Sequence, residues 1–352
     1  MSDEYEITPF DAPRASEQAF AAWTELSNLI RAEAWPDDPP QSVERVRTNM
    51  LSAPEYVEVC RWTVLGSGGR LAASASTWVW NTGQNEHAGG FEIDVHPDHR
   101  RRGLATRLLA PVAAALRQRG RRLFLVTSFG SVPSAAGFLR ALGAAPGLEE
   151  ETLQLDLREL DRGLLRAWQE RGRERAGDFE IGAWIGPYPV EAYEEVVAMR
   201  RSHNLMPRGD LQVDDEESTV EQVRQSEAAQ ALRKDERWCL YARDPASGQI
   251  AGFTEVWWHP ESPEVLSQSG TAVFPEFQGR GLGRLLKAMM LERVLRDRPQ
   301  VRRVRTSNAY TNAPMLKINQ ELGFKPYQSR IEWQVETEKV EEYLNGRAHF
   351  CG

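Results

Sequence analysis

Apolar positions along the chain repeat with two different periods. Leu282, Leu285, Leu286, Met289, Met290 and Val294 follow one another at steps of three and four, which predicts a helix with one buried face. Short stretches rich in β-branched and aromatic residues predict strands: "YEITPF" (5–10), "RRLFLVTS" (121–128), "FEIGAWIG" (179–186) and "RRVRTSN" (302–308). Further helical segments are expected around Ser16 to Arg31 and Val190 to His203. Hairpin turns are expected at "GSGG" (66–69) and "DPASGQ" (244–249).

The pattern is written twice. "VHPDHRRRGLATRLL" (95–109) superposes on "VFPEFQGRGLGRLLK" (273–287), pairing Val95 with Val273, Pro97 with Pro275, Arg100 with Gln278, Gly103 with Gly281 and Ala105 with Gly283. Upstream, "GGRLAASASTWVW" resembles "SGQIAGFTEVWW"; downstream, "FLRALGAAP" resembles "KINQELGFKP". A repeat of half the chain is too long for a solenoid unit and implies two copies of one domain. The mixed order of strands and helices predicts an α+β fold, each copy a mostly antiparallel mixed sheet flanked by helices. We expect domains at 1–157 and 178–352, joined by a charged helix at 158–177.

Composition narrows the function. The 352 residues carry a net charge of −8 and are 41% hydrophobic, which fits a soluble globular protein and argues against a nucleic-acid partner. The opening "MSDEYEITPF" has no apolar core, and no apolar run could span a bilayer, so no membrane association and a cytoplasmic location are expected. Cys60, Cys239 and Cys351 match no ligand spacing and the histidines show none, so no metal is expected.

A strand that runs through a glycine-rich turn into a helix leaves unpaired main-chain N–H groups at the positive end of the helix dipole, which suits a phosphate. Both loops match V-x-P-x-x-[QR]-x-x-G-x-[GA], which resembles motif A of the GNAT superfamily of acyl-CoA-dependent N-acyltransferases. The tandem layout is similar to duplicated actinobacterial acetyltransferases such as mycothiol synthase. The resemblance implies acetyl-coenzyme A as cosubstrate. It places pyrophosphate cradles at Arg100, Arg101, Arg102, Gly103, Leu104, Ala105 and Thr106, and at Gln278, Gly279, Arg280, Gly281, Leu282, Gly283 and Arg284. Val95 and Val273 close the strands that would contact the pantetheine arm.

Acyl transfer to an amine needs a base, an oxyanion donor and an acid for the thiolate. Glu255 is the candidate base of the second copy; Glu92 and Asp94 are those of the first. The family's acidic tyrosine would fall at Leu139 and Asn319, and both depart from it. Tyr310 and Asn319 are the nearest substitutes, while Asn308 and Asn312 offer amides to the pantetheine arm or the thiolate. Cys239 has no evident histidine partner. The sequence therefore reads as an N-acetyltransferase moving acetyl or a short acyl group to a small-molecule primary amine by direct attack, catalysis resting with the second copy. The alternative is a non-catalytic acyl-CoA-binding or sensing module. A monomer or homodimer is expected.

Overall fold

The computed structural model describes residues 5–66 and 69–348; Ser67 and Gly68 of the "GSGG" turn, the first four residues and Cys351 lie outside them. In chain order the first copy folds as β1 (Ile7–Pro9), α1 (Glu17–Ala34), α2 (Val43–Leu51), β2 (Val57–Leu65), β3 (Leu71–Trp80), β4 (Ala88–Val95), α3 (Leu104–Gln118), β5 (Leu123–Phe129), α4 (Pro133–Ala141), β6 (Ala145–Asp156) and α5 (Arg162–Ala176). The second follows as β7 (Glu180–Ile185), α6 (Tyr193–Arg200), α7 (Val220–Arg233), β8 (Glu236–Arg243), β9 (Ile250–Trp258), β10 (Val265–Val273), α8 (Leu282–Asp297), β11 (Arg303–Ala309), α9 (Ala313–Glu321), β12 (Lys325–Glu336) and α10 (Thr337–Ala348).

The compact units depart from the expected boundaries at 157 and 178. One unit takes the chain up to Glu149, Arg208–Asp215 and the chain from Gln328; the other takes Glu150–Pro207 and Glu216–Tyr327. The cause is an exchange of the terminal strands. In unit 1, β12 of the second copy pairs antiparallel with β5, from Arg330 opposite Phe129 to Glu336 opposite Leu123. In unit 2, β6 of the first copy pairs antiparallel with β11, from Asp156 opposite Arg303 to Glu150 opposite Ala309. The following helices travel with them. Helix α5, expected as a connector, buries Leu165 and Trp168 in the same core as Leu285 and Leu286 of α8. Helix α10 likewise buries Val340 among the α3 residues Leu108, Val112 and Leu116.

Each sheet is mixed, as expected, with one parallel pairing in the middle. Unit 1 runs β1-β2-β3-β4-β5-β12 with β4 and β5 parallel; unit 2 runs β7-β8-β9-β10-β11-β6 with β10 and β11 parallel. Apolar side chains leave both faces of each sheet, so helices cover both. In unit 2, α5 and α8 cover one face, and α6 and α7 cover the other, Val196, Met199 and Val223 sharing a core with Phe253 of β9. In unit 1, α3 and α10 cover one face, and Trp23, Leu26 and Val46 from α1 and α2 pack with Leu71. Among the described residues no helix is long and apolar enough to cross a membrane.

Candidate active site

Both glycine loops are built from main chain. Each signature strand passes through a short turn, Pro97–His99 or Pro275–Phe277, into a helix whose N-cap is a left-handed glycine: Gly103 at φ 78° and Gly281 at φ 79°. No side chain caps either helix, whereas Ser16, Ser42, Asp161, Thr219 and Asn312 cap theirs. The first main-chain bond of α8 runs from the Leu285 N–H to the Gly281 carbonyl at 3.1 Å. The N–H groups of Leu282, Gly283 and Arg284 therefore have no partner within the helix, and the loop fits an anionic group.

The loop side chains divide by role. Gln278 Nε2 donates to the Val273 carbonyl at 3.1 Å, and Arg100 Nε donates to the Val95 carbonyl at 3.2 Å, so both fasten the turn to the strand end. Arg100 is also held by Glu33 at 2.9 Å. Arg102 donates to the Tyr5 hydroxyl at 2.8 Å, and Thr106 meets the Tyr343 hydroxyl at 3.3 Å. Arg284 forms a two-pronged pair with Glu321 at 3.0 Å, while Arg280 stays exposed over the Phe179 ring at 5.3 Å. Leu104 and Leu282 are buried, leaving their amides to the loop. Arg101 takes φ 64° where the second copy has Gly279 at φ 80°. A Cβ on Gly283 would meet Val273 at 3.7 Å, an ordinary contact, so close approach does not demand glycine there, and Ala105 fills the matching place.

The parallel strands separate early. Only Val265–Ser267 of β10 pair with Arg303–Arg305 of β11, although β10 continues to Val273 and β11 to Ala309. Ladder bonds fail beyond that point, and a cleft opens between the strands. On its other side β10 carries a bulge. Gln268 faces Val256 and Thr271 faces Thr254, so Ser269 and Gly270 together oppose Glu255. A two-against-one bulge leaves a main-chain group out of the ladder. Unit 1 pairs continuously from Ala73 opposite Val95 to Trp78 opposite Gly90 and has no such break. The sequence reading missed this bulge, though Gly270 inside a strand is its signal.

Glu255 thus stands across from the bulge with its side chain 14% exposed. It accepts hydrogen bonds from the Tyr188 hydroxyl at 2.5 Å and the Trp257 indole N–H at 2.7 Å. Arg237 Nε lies 3.9 Å away, but its guanidinium is committed to Glu227 through two bonds of 2.7 Å. Burial first, and the Glu255 charge second, push the Tyr188 phenol above its ordinary range, so it stays a donor. The same two causes push Cys239 up to about 12, so its thiol is protonated at neutral pH. His203 is lowered by burial and by Arg200.

Asn319 is fully buried. Its Oδ1 accepts from Lys287 Nζ at 2.8 Å and its Nδ2 donates to Asn308 Oδ1 at 2.7 Å. Asn312 caps α9 by accepting from the Met315 N–H at 3.4 Å, and Tyr310 is exposed just past the end of β11. In unit 1, Glu92 and Asp94 share one face of β4. Loss of hydration raises both carboxyls, Asp94 well above the carboxylate range with the Glu92 charge adding, although Glu92 keeps an exposed edge.

The sequence model of the Acetyltransferase (GNAT) family matches residues 20–144 and again 192–324. A mycothiol acetyltransferase from Salinispora arenicola (strain CNS-205) is 28% identical over 261 residues, covering 70% of this chain and 72% of its own. The solved tandem GNAT protein from the clavulanic acid biosynthesis pathway is 27% identical with a TM-score of 0.75, over 95% of this chain and 99% of that one. A GCN5-related N-acetyltransferase from Sphaerobacter thermophilus shares the fold at 17% identity and a TM-score of 0.62, over 96% of this chain and 97% of its own. With both signature loops, both sheets and two family matches in register, the chain belongs to the GNAT family and is an N-acetyltransferase of the tandem type.

Proposed function

We propose that the chain transfers an acetyl group from acetyl-coenzyme A to a primary amine of a small molecule, and that unit 2 is the catalytic unit. The bulge carries this reading, because in unit 2 it sets an unpaired main-chain donor beside the cleft and the Glu255 carboxylate, whereas unit 1, whose parallel strands also separate after three pairs, has no bulge. The cosubstrate would supply the activated thioester. The uncapped amides of Leu282, Gly283 and Arg284, with exposed Arg280, would hold its pyrophosphate. The strand amide freed at Ser269–Gly270 would donate to the acyl oxygen as that atom gains charge. Glu255 would take the proton of the incoming ammonium, directly or through a water. Trp257 and Tyr188 fix its carboxylate, each from one side. The relative named mycothiol acetyltransferase supports a small-molecule acceptor.

Unit 1 reads as a non-catalytic copy. Its ladder is unbroken, Arg100 and Arg102 are engaged by Glu33 and Tyr5, and the Trp333 indole N–H donates to Ser128, the counterpart of Asn308, at 2.8 Å. Release of free thiol from acetyl-coenzyme A across a panel of primary amines tests the proposal. Glu255→Gln should lower turnover about 100-fold with unchanged coenzyme A affinity. Full turnover by Glu255→Gln would remove Glu255 from the mechanism, and binding without turnover on any amine would favour the sensing module.

A further inference from the structure

Lys287 lies in the second turn of α8 and is 1% exposed. Its Nζ reaches Asn319 Oδ1 at 2.8 Å and Met315 Sδ at 3.8 Å, with the Phe324 ring at 5.7 Å. Among the described residues, no carboxylate is a hydrogen-bond or ion-pair partner of Lys287. Burial alone lowers its pKa to about 7. A buried ammonium without a counter-charge is costly, and the fold does not need one. Unit 1 fills the matching positions with Leu109 and Leu139, both buried, and folds the same helix pair over the same sheet.

The donor order of this buried chain is fixed. Lys287 Nζ donates to Asn319 Oδ1, which turns the Asn319 amide nitrogen to Asn308. Asn308 then accepts through Oδ1, and its own Nδ2 group is left to face elsewhere. Asn308 lies on β11 beyond Arg305, the last residue paired to β10, where the cleft opens. In unit 1 the corresponding Ser128 hydroxyl is engaged by Trp333.

We infer that Lys287 and Asn319 are positioning residues that set Asn308 Nδ2 as a fixed hydrogen-bond donor in the β10–β11 cleft, directed at the sulfur of the departing thiolate. The inference rests on the proposed donor site in unit 2. In the transfer the amine nitrogen forms a bond to the acyl carbon and the carbon–sulfur bond breaks. The amine proton goes to Glu255 or water, and the sulfur leaves as thiolate and is protonated from solvent. Asn308 stabilises that sulfur without losing a proton.

The test replaces the buried polar pair by the apolar pair of the other unit, Lys287→Leu with Asn319→Leu, in the full-length protein. Turnover should fall at least tenfold while KM for acetyl-coenzyme A stays within about twofold. Calorimetric titration gives a second readout: wild type should bind coenzyme A more tightly than desulfo-coenzyme A, and the variant should bind the two alike. Asn308→Ser, which leaves the helix core untouched, should reproduce both effects, and it decides the question if the double variant does not fold. Wild-type turnover and an unchanged affinity ratio in Asn308→Ser or in a folded double variant overturn the inference. A wild type that binds no coenzyme A at unit 2 overturns the donor site itself, and this inference with it.

Discussion

Glu227 is the place where stability and chemistry in unit 2 are joined. Its carboxylate accepts two bonds of 2.7 Å from Arg237 and one of 2.8 Å from the Tyr188 N–H, and all three groups are buried. Glu227→Ala would leave a guanidinium 4% exposed without its partner and orphan one main-chain donor. Breaking a buried ion pair on one side costs about 3–5 kcal/mol, and an orphaned donor adds about 1–3 kcal/mol. Part returns, because the Glu255 carboxylate stands 3.9 Å from Arg237 Nε and can close on it. The net expectation is about 3–4 kcal/mol, read as an earlier tryptophan-fluorescence transition in urea, since the Trp257 ring lies 5.2 Å from the Arg237 guanidinium. Turnover should fall as well, because Arg237 would then occupy Glu255. The paired replacement Glu227→Leu with Arg237→Met should regain most of the stability, as apolar side chains commonly substitute for a buried pair at little cost. If Glu227→Ala unfolds within about 0.5 kcal/mol of wild type, the pair does not carry the load assigned to it.

Two further outcomes follow from the backbone and from burial. Arg101→Gly should stabilise unit 1 by about 1 kcal/mol, because a side chain at φ 64° is strained where glycine is not; thermal unfolding reads it as a rise of a few degrees. Lys287 has a folded pKa of about 7 against 10.5 ordinarily, so between those values the unfolded chain binds the extra proton and stability rises with pH. Urea midpoints of the wild type should therefore climb from pH 7 towards pH 10, and Lys287→Leu with Asn319→Leu should flatten that climb.

The parts of this protein legible in its sequence are those set by local chemistry. Gly103 and Gly281 could be read because a strand-to-helix turn in left-handed backbone selects glycine within a few residues. The helices α3, α8, α4 and α9 could be read because their apolar steps and terminal glycines lie within one segment. The exchange of β6 and β12 could not, since a strand's alternation says which face it buries but not which neighbour it joins. Asn312 reads as ligand or cap with equal ease until the Met315 N–H is seen bonded to it. Lys287 did leave a signal: it is four residues after Gly283 and three before Met290, inside the stripe that buries Met290 and Val294. Apolar periodicity counts a charged residue as a gap, so the stripe concealed the residue that departs most from it.

The duplication supplies its own control. One sheet order, one glycine turn and one helix mouth occur in both units, so those features are sufficient for the fold. Where the units differ, folding does not explain the choice. Unit 2 breaks its ladder at Ser269–Gly270, places glycine where unit 1 tolerates a strained arginine, and buries Lys287 and Asn319 where unit 1 buries two leucines. The broken ladder and the buried lysine each lower stability relative to the leucine-packed alternative already present in the same molecule. Features that cost stability and converge on one cleft are expected where a site performs chemistry, because interactions there are arranged for a reacting state rather than for the resting fold. Unit 1 shows the opposite trend: its cleft position, Ser128, is taken by Trp333. The asymmetry therefore supports the proposed division of labour within one chain, in which the transfer step falls to the unit that has departed from the cheaper packing.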